Sequence, residues 1–251
     1  MTDVVEVLGS PLYDGPRRRS YVALDAHSWN EASTLIGRFG DAVDGYKVGL
    51  ELFHAVGQQA VEKLCNAGKR VFLDVKLHDI PHTVAQALTV ICQYPIEMVN
   101  VHTLGGPAML EAARQAVSQS PYQPLLVGVT ILTSMTAGDL ASVGLAEPTE
   151  AEVGRLAQLA LRSGLDGVVA SAQEIETIRR VAPERFEIVV PGTRMKGMDR
   201  HDQARTATPG EAVSKGASRL VLGRAVTQSA YPLMALQRIW DDMLMGAQPL
   251  P

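Results

Sequence analysis

The sequence predicts an α/β fold, a (β/α)8 TIM barrel spanning residues 1–251 as a single domain, from three observations. Eight short apolar, β-branched runs recur along the chain. Ala-rich segments with helical apolar spacing separate them. The length, 251 residues, is that of one such barrel. Strands alternating with helices call for parallel pairing, and near-continuous apolar strands are buried on both faces. Eight units favour closure over an open, doubly wound sheet.

Taken in order, Tyr21–Asp25 is apolar up to its terminal carboxylate, and Gly45–Gly49 places Tyr-Lys-Val between two glycines. Val71–Lys76 is an apolar run that surfaces into charge, and Met98–His102 ends on an imidazole. Leu125–Val129, Gly167–Ala170, Glu187–Val190 and Arg219–Leu222 complete the set. Between them, Ala85–Tyr94, Ala108–Ser118, Ala151–Arg162 and Ala172–Val181 carry the helical pattern. No strand is followed by G-x-G-x-x-G, which disfavours a dinucleotide site. The longest connection, Pro191–Pro209, has the length of a functional lid or a poorly ordered loop.

Hydrophobic residues make up 46% and charged residues 20%, an ordinary globular mixture. The net charge of −4 leaves no basic stripe, so neither nucleic acid nor an anionic membrane is an expected partner. Cys65 and Cys92 lie in unrelated segments and read as reduced thiols. The first residues hold no apolar signal core, and no apolar run approaches a membrane span. A soluble cytoplasmic protein is expected.

Barrels of this kind place their chemistry at the C-terminal strand ends. The densest such end is Asp74-Val75-Lys76-Leu77-His78-Asp79. Strand side chains alternate, so Asp74 and Lys76 share a face, with Asp79 just beyond on the exit loop. One ion pair there would read as a solvated surface cluster. Lys47 on the neighbouring strand adds a fourth charge to the same rim, and crowded charges at a half-buried strand end point to chemistry. Asp25, His102, Thr133, Pro191, Arg194 and Arg224 occupy other strand exits. Gly223-Arg224 after the eighth strand, with Arg194 after the seventh, fits the phosphate site formed by the last two barrel loops.

His78 and His82 have the spacing of two helical metal ligands, but Pro81 intervenes and the segment is a strand exit, so both are expected at the surface. His102 is expected on the barrel floor rather than on a metal. His27 and His54 carry no signal.

The stretch Asp74–Thr83, D-x-K-x-x-D-I-P-x-T, resembles the signature of the orotidine 5'-phosphate decarboxylase family. The likeness covers nearly the whole chain: Ala23-Leu24-Asp25, Lys47-Val48-Gly49, Leu132-Thr133-Ser134, Pro191-Gly192-Thr193-Arg194, Asp202-Gln203-Ala204-Arg205, Thr208-Pro209 and Val221-Leu222-Gly223-Arg224 follow in order. The family implies decarboxylation of orotidine 5'-phosphate to UMP in pyrimidine biosynthesis. It also implies a homodimer with shared active sites and no metal or organic cofactor. By the resemblance, Lys76 gives the proton to C6 of the pyrimidine. Lys47, Asp74 and Asp79 complete its charge array, Asp79 coming from the partner subunit. Asp25 and Lys47 meet the ribose, joined by Thr83 from across the interface, and Thr133 meets the pyrimidine edge. Pro191 is a substrate contact. Arg194, Gln203, Gly223 and Arg224 hold the 5'-phosphate under the Pro191–Pro209 loop. The chain departs from many relatives in having Ala225-Val226 where they carry Pro-Ile.

Two rivals stand beside this reading. A Mg²⁺-dependent sugar-phosphate decarboxylase of the same barrel superfamily would want a carboxylate on the second strand, where this chain has Lys47, and an ammonium cannot ligate Mg²⁺. A non-catalytic nucleotide-binding barrel would gain little from the crowded charges.

Overall fold

The computed structural model describes residues 4–195 and 207–247. Eight parallel strands close into a barrel in sequence order, the last pairing with the first. They are β1 (Ser20–Ala23), β2 (Gly45–Gly49), β3 (Arg70–Leu77), β4 (Met98–His102), β5 (Leu125–Val129), β6 (Gly167–Val169), β7 (Glu187–Pro191) and β8 (Arg219–Leu222). Strand ends differ from the sequence reading by one or two residues. Asp25 lies just past β1, although Leu24 N–H still donates to the Lys47 carbonyl at 3.0 Å.

The four anticipated helices are present as Pro81–Ile91, Gly106–Ser118, Thr149–Arg162 and Ile175–Val181. The first starts earlier than its apolar pattern because Pro81, whose fixed φ suits a first helical turn, nucleates it. Further helices were not anticipated: Val4–Leu8 and Asp14–Arg19 ahead of β1, Ala137–Ser142 after β5, and Pro232–Gly246 after β8. The last buries Leu236, Ile239, Trp240 and Met243 against the wall of the barrel.

Alternation along the strands divides the apolar residues between two cores. Tyr21, Ala23, Phe72, Met98, Val127, Val189 and Val221 point inward and fill the barrel. Their neighbours, such as Val22, Val48, Leu73, Val99 and Leu220, face the helices in the larger outer core. Fully burying side chains the size of Phe72 or Met98 contributes about 1.5–3 kcal/mol each.

Below the inner core, at the N-terminal strand ends, lies a lattice of ions. Glu97 accepts from Arg70 at 2.8 Å, from Arg219 at 3.1 Å and from the Tyr21 hydroxyl at 2.6 Å. Arg70 also reaches Asp44 at 2.8 Å, and Arg219 reaches Glu187 at 3.3 Å. Burial, reinforced by Glu97, pushes the Tyr21 phenol far above its ordinary pKa, so it stays a donor. Packed hydrocarbon and ion pairs thus close one end of the barrel.

Candidate active site

The open end holds a cavity of about 370 Å³ walled by residues from both halves of the barrel. One side is ionic. Lys76 Nζ donates to Asp74 Oδ1 at 2.6 Å, Lys47 Nζ lies 3.6 Å from Asp74 Oδ2, and Lys47 meets Asp25 at 3.4 Å. The expected shared face for Asp74 and Lys76 is present, and the strand pairing that sets Gly49 beside Asp74 brings Lys47 to the same rim. The Lys47 ammonium crosses directly over Gly49, where a Cβ would stand 2.6 Å from Nζ, so any larger residue would push the ammonium from this position.

The Lys47 and Asp74 side chains are only 12% and 13% exposed, so water screens this cluster weakly. Burial pushes the Asp74 carboxyl up. The ammonium groups of Lys47 and Lys76, with hydrogen bonds from Lys76 and Asn100, outweigh that and hold it below the usual carboxylate range. Asp74 is therefore an anion clamped between two cations.

Local backbone geometry sets this up. β3 and β4 pair at Phe72–Met98 and Leu73–Val99, then resume only at Leu77–Val101. The surplus residues on β3 form a bulge at Asp74-Val75-Lys76, where pairing is interrupted. Lys76 adopts φ +49°, the left-handed region, which costs a non-glycine residue roughly 1–2 kcal/mol. Strain of this kind concentrates at functional positions.

The opposite side of the cavity is built for an anion. Arg194 and Arg224 both line it, with Pro191, Gly192 and Gly223. Arg194 is buried, its Nη1 donating to the Thr193 carbonyl at 2.9 Å. Burial, and then the charge of Arg224, push its guanidinium below its ordinary pKa. Arg194 Nε and Thr193 Oγ1 are buried without a hydrogen-bond partner among the described residues. Two guanidinium groups on one wall, beside the unused Arg194 Nε and Thr193 Oγ1, form a socket that an anion would satisfy. Among the described residues, apart from Gly223 and its chain neighbours, no atom lies within 4 Å of where a Cβ on Gly223 would stand. Between the two poles run Thr133 and the apolar side chains of Val129, Ile131, Leu132, Val169 and Val221.

The cavity thus gathers Asp25, Lys47, Asp74, Lys76, Thr133, Pro191, Arg194, Gly223 and Arg224. It does not gather Asp79 or Thr83 of the same chain. Asp79 is exposed, its Oδ1 accepting the Ile80 N–H at 2.7 Å, and Thr83 is exposed on the helix Pro81–Ile91. Gln203 lies outside the described residues, as does much of the Pro191–Pro209 connection.

The structure corrects His102. It ends β4 at the open rim rather than on the floor, and its ring stacks on exposed His78 with centroids 5.3 Å apart. Its Nδ1 is buried without a partner among the described residues. Burial, then His78 and Lys76, push its pKa down to about 4, so the imidazole is neutral near pH 7. The sequence reading passed over Asn100 altogether. Its only signal was an amide on the inward face of a strand that reads Met-Val-Asn-Val-His.

A charged well and an anion socket facing each other across the C-terminal mouth of a parallel barrel define a phosphate-ligand barrel enzyme. The chain belongs to the family described as orotidine 5'-phosphate decarboxylase / HUMPS family, which matches residues 19–239. It is 46% identical over 224 residues to the orotidine 5'-phosphate decarboxylase of Hydrogenovibrio crunogenus, covering 89% of this chain and 95% of that one. The enzyme of that name from Neisseria meningitidis serogroup A is 45% identical over 230 residues, covering 90% and 94%. Among solved structures, the crystal structure of orotidine 5'-phosphate decarboxylase from Lactobacillus acidophilus superposes with a TM-score of 0.79 at 32% identity, covering 89% of this chain and 97% of that one.

Proposed function

We propose that this barrel decarboxylates orotidine 5'-phosphate to UMP, with Lys76 as the proton donor. The observation that carries the assignment is the Lys47–Asp74–Lys76 alternation across the cavity from Arg194 and Arg224. The substrate has one anion at each end: the 5'-phosphate suits the arginine socket, and the C6 carboxylate falls at the ionic wall. In this reading Asp25 and Lys47, which line the cavity, take the ribose hydroxyls and Thr133 meets the pyrimidine edge. Gly223 and Pro191 complete the contacts, and Gln203 is assigned to the phosphate on the resemblance alone.

In the reaction the bond between C6 and the carboxyl carbon breaks, its electron pair stays on C6, and carbon dioxide departs. That pair occupies an orbital orthogonal to the ring π system, so the ring cannot delocalise it. Fixed positive charge beside C6 is the remaining resource, and the Lys76 ammonium supplies both that charge and the proton. After the transfer C6 carries hydrogen, and solvent returns a proton to the Lys76 amine. Asp74 orients Lys76 through their 2.6 Å bond and faces the substrate carboxylate with like charge. Binding at the distant phosphate contributes by fixing the nucleotide against this array.

The proposal extends to a homodimer. Asp79 and Thr83 point away from their own cavity, and exposed Ile80 lies between them, as in a surface that meets another protein. In such a dimer, Asp79 of the partner subunit would supply the fourth charge and Thr83 of the partner subunit a ribose contact. The free thiols of Cys65 and Cys92 fit a reducing, cytoplasmic setting for this single-domain enzyme. The Mg²⁺-dependent rival finds Lys47, not a carboxylate, on β2.

Incubation with orotidine 5'-phosphate should lower its long-wavelength ultraviolet absorbance and yield UMP, with excess EDTA making no difference. Lys76→Ala should lower kcat by at least about 10⁴-fold while UMP still binds. Near-normal turnover in that variant would remove Lys76 from the chemistry.

A further inference from the structure

We propose that Asn100 is a positioning residue that sets both the backbone and the charge of the catalytic pair, a role that rests on the reading above. Asn100 lies mid-strand on β4 and is fully buried. Its side-chain Oδ1 accepts the Lys76 backbone N–H at 2.8 Å, and its Nδ2 donates to Asp74 Oδ1 at 2.7 Å. One partner is an obligatory donor and the other an acceptor, so the amide can face them in only one orientation.

Both bonds answer needs created by the β3 bulge. Where pairing lapses between Leu73–Val99 and Leu77–Val101, Lys76 N–H has no strand carbonyl to bond. Asn100 sits in that gap and replaces the missing carbonyl with its own. This holds Lys76 at its φ of +49°, which no glycine is there to relax. The Nδ2 bond falls on the same Asp74 oxygen that receives Lys76 Nζ, so a neutral donor and an ammonium converge on one atom. Asn100 therefore fixes where the Lys76 side chain departs from the backbone and where its counter-ion stands. Among the described residues, no other side chain bonds both members of the pair.

An amide is required for the double task. A carboxylate offers no donor to Asp74, an aliphatic side chain offers neither group, and serine is too short to span both. Among the described residues, the groups facing Asp74 are Lys47 from β2, Lys76 on β3 and Asn100 on β4, with the apolar Val127 and Val129 on β5.

The discriminating variants are Asn100→Asp and Asn100→Leu. Asn100→Asp keeps shape and acceptor but sets two carboxyl oxygens face to face until one takes a proton. Its kcat near pH 8 should fall about 10²-fold, with KM and UMP affinity within about twofold of wild type. The deficit relative to wild type should shrink towards about pH 5, by up to about tenfold per pH unit, as the new carboxyl is protonated and becomes a donor. Burial and the neighbouring charges hold the His102 pKa down at about 4, so its titration does not enter that window. Without substrate, hydrogen exchange at the Lys76 amide should be slow in wild type and Asn100→Asp, and fast in Asn100→Leu. If Asn100→Leu does not fold, the isosteric Asn100→Asp carries the kinetic test. A wild-type kcat in Asn100→Asp, a deficit that does not change with pH, or fast exchange of the wild-type Lys76 amide would each overturn the role. Wild-type protein inert towards orotidine 5'-phosphate would instead count against the proposed function, while the exchange measurement would still decide the tether.

Discussion

At the scale of single residues, the site is made of groups whose charge is set by neighbours they did not choose locally. Asp74 stays ionised because Lys47 and Lys76 offset its burial, and His102 stays neutral because burial and Lys76 oppose its protonation. The imidazole has a measurable consequence. Its folded pKa, about 4, lies below the ordinary value near 6.5, so between these limits the unfolded chain binds the extra proton. Stability contributed by neutral His102 is therefore complete above about pH 6.5 and is lost as pH falls towards about 4. The loss has an upper bound on the order of 3 kcal/mol, which residual solvent contact at the ring reduces. Urea unfolding at about pH 4.5 and 7 should show His102→Phe losing less stability on acidification than wild type. Equal losses would place the acid sensitivity elsewhere.

At the scale of elements, the strands were legible and the devices between them were not. Burial on both faces demands unbroken apolar runs, so all eight strands could be read to within a residue or two. The helices Val4–Leu8 and Asp14–Arg19 are short, and the second contains Gly15 and Pro16, so propensity alone does not announce them. Tertiary bonds hold that region, including Arg17 to the Leu8 carbonyl at 2.5 Å and Tyr13 to Asp241 at 2.6 Å. The charged residues of the candidate site showed in the sequence because charge at a strand exit is conspicuous. The β3 bulge was hidden, since Asp74-Val75-Lys76 contains neither glycine nor proline. Without the bulge, nothing marked Asn100 as more than an inward polar residue. A second unseen device joins the helix Pro209–Ser214 to Pro232–Gly246. Asp242 accepts the Gly210 N–H at 2.6 Å, and a Cβ on Gly210 would stand 2.3 Å from the Asp242 carbonyl oxygen. Gly210→Ala should force the helices apart and cost about 1–3 kcal/mol in thermal or urea unfolding. An unchanged midpoint would show that the contact yields freely.

At the scale of the whole molecule, the two barrel ends divide stability from chemistry. Glu97 ties Arg70, Arg219 and Tyr21 together at the closed end. Glu97→Ala would remove the shared partner of Arg70, Arg219 and Tyr21, leaving the arginines to Asp44 and Glu187, and should destabilise the fold by about 1–3 kcal/mol, while kcat stays within about twofold. A large loss of kcat in folded protein would contradict that division. The proposed dimer has its own test: verified heterodimers of Lys76→Ala and Asp79→Ala chains should regain one working site of two, near half of wild-type turnover per dimer. Heterodimers with no recovered activity would mean that Asp79 serves its own subunit. The sealed floor beneath Phe72 and Met98 also makes the pocket a blind well. Carbon dioxide released inside it has to escape upward through the same aperture that admits the nucleotide, so both products share one exit.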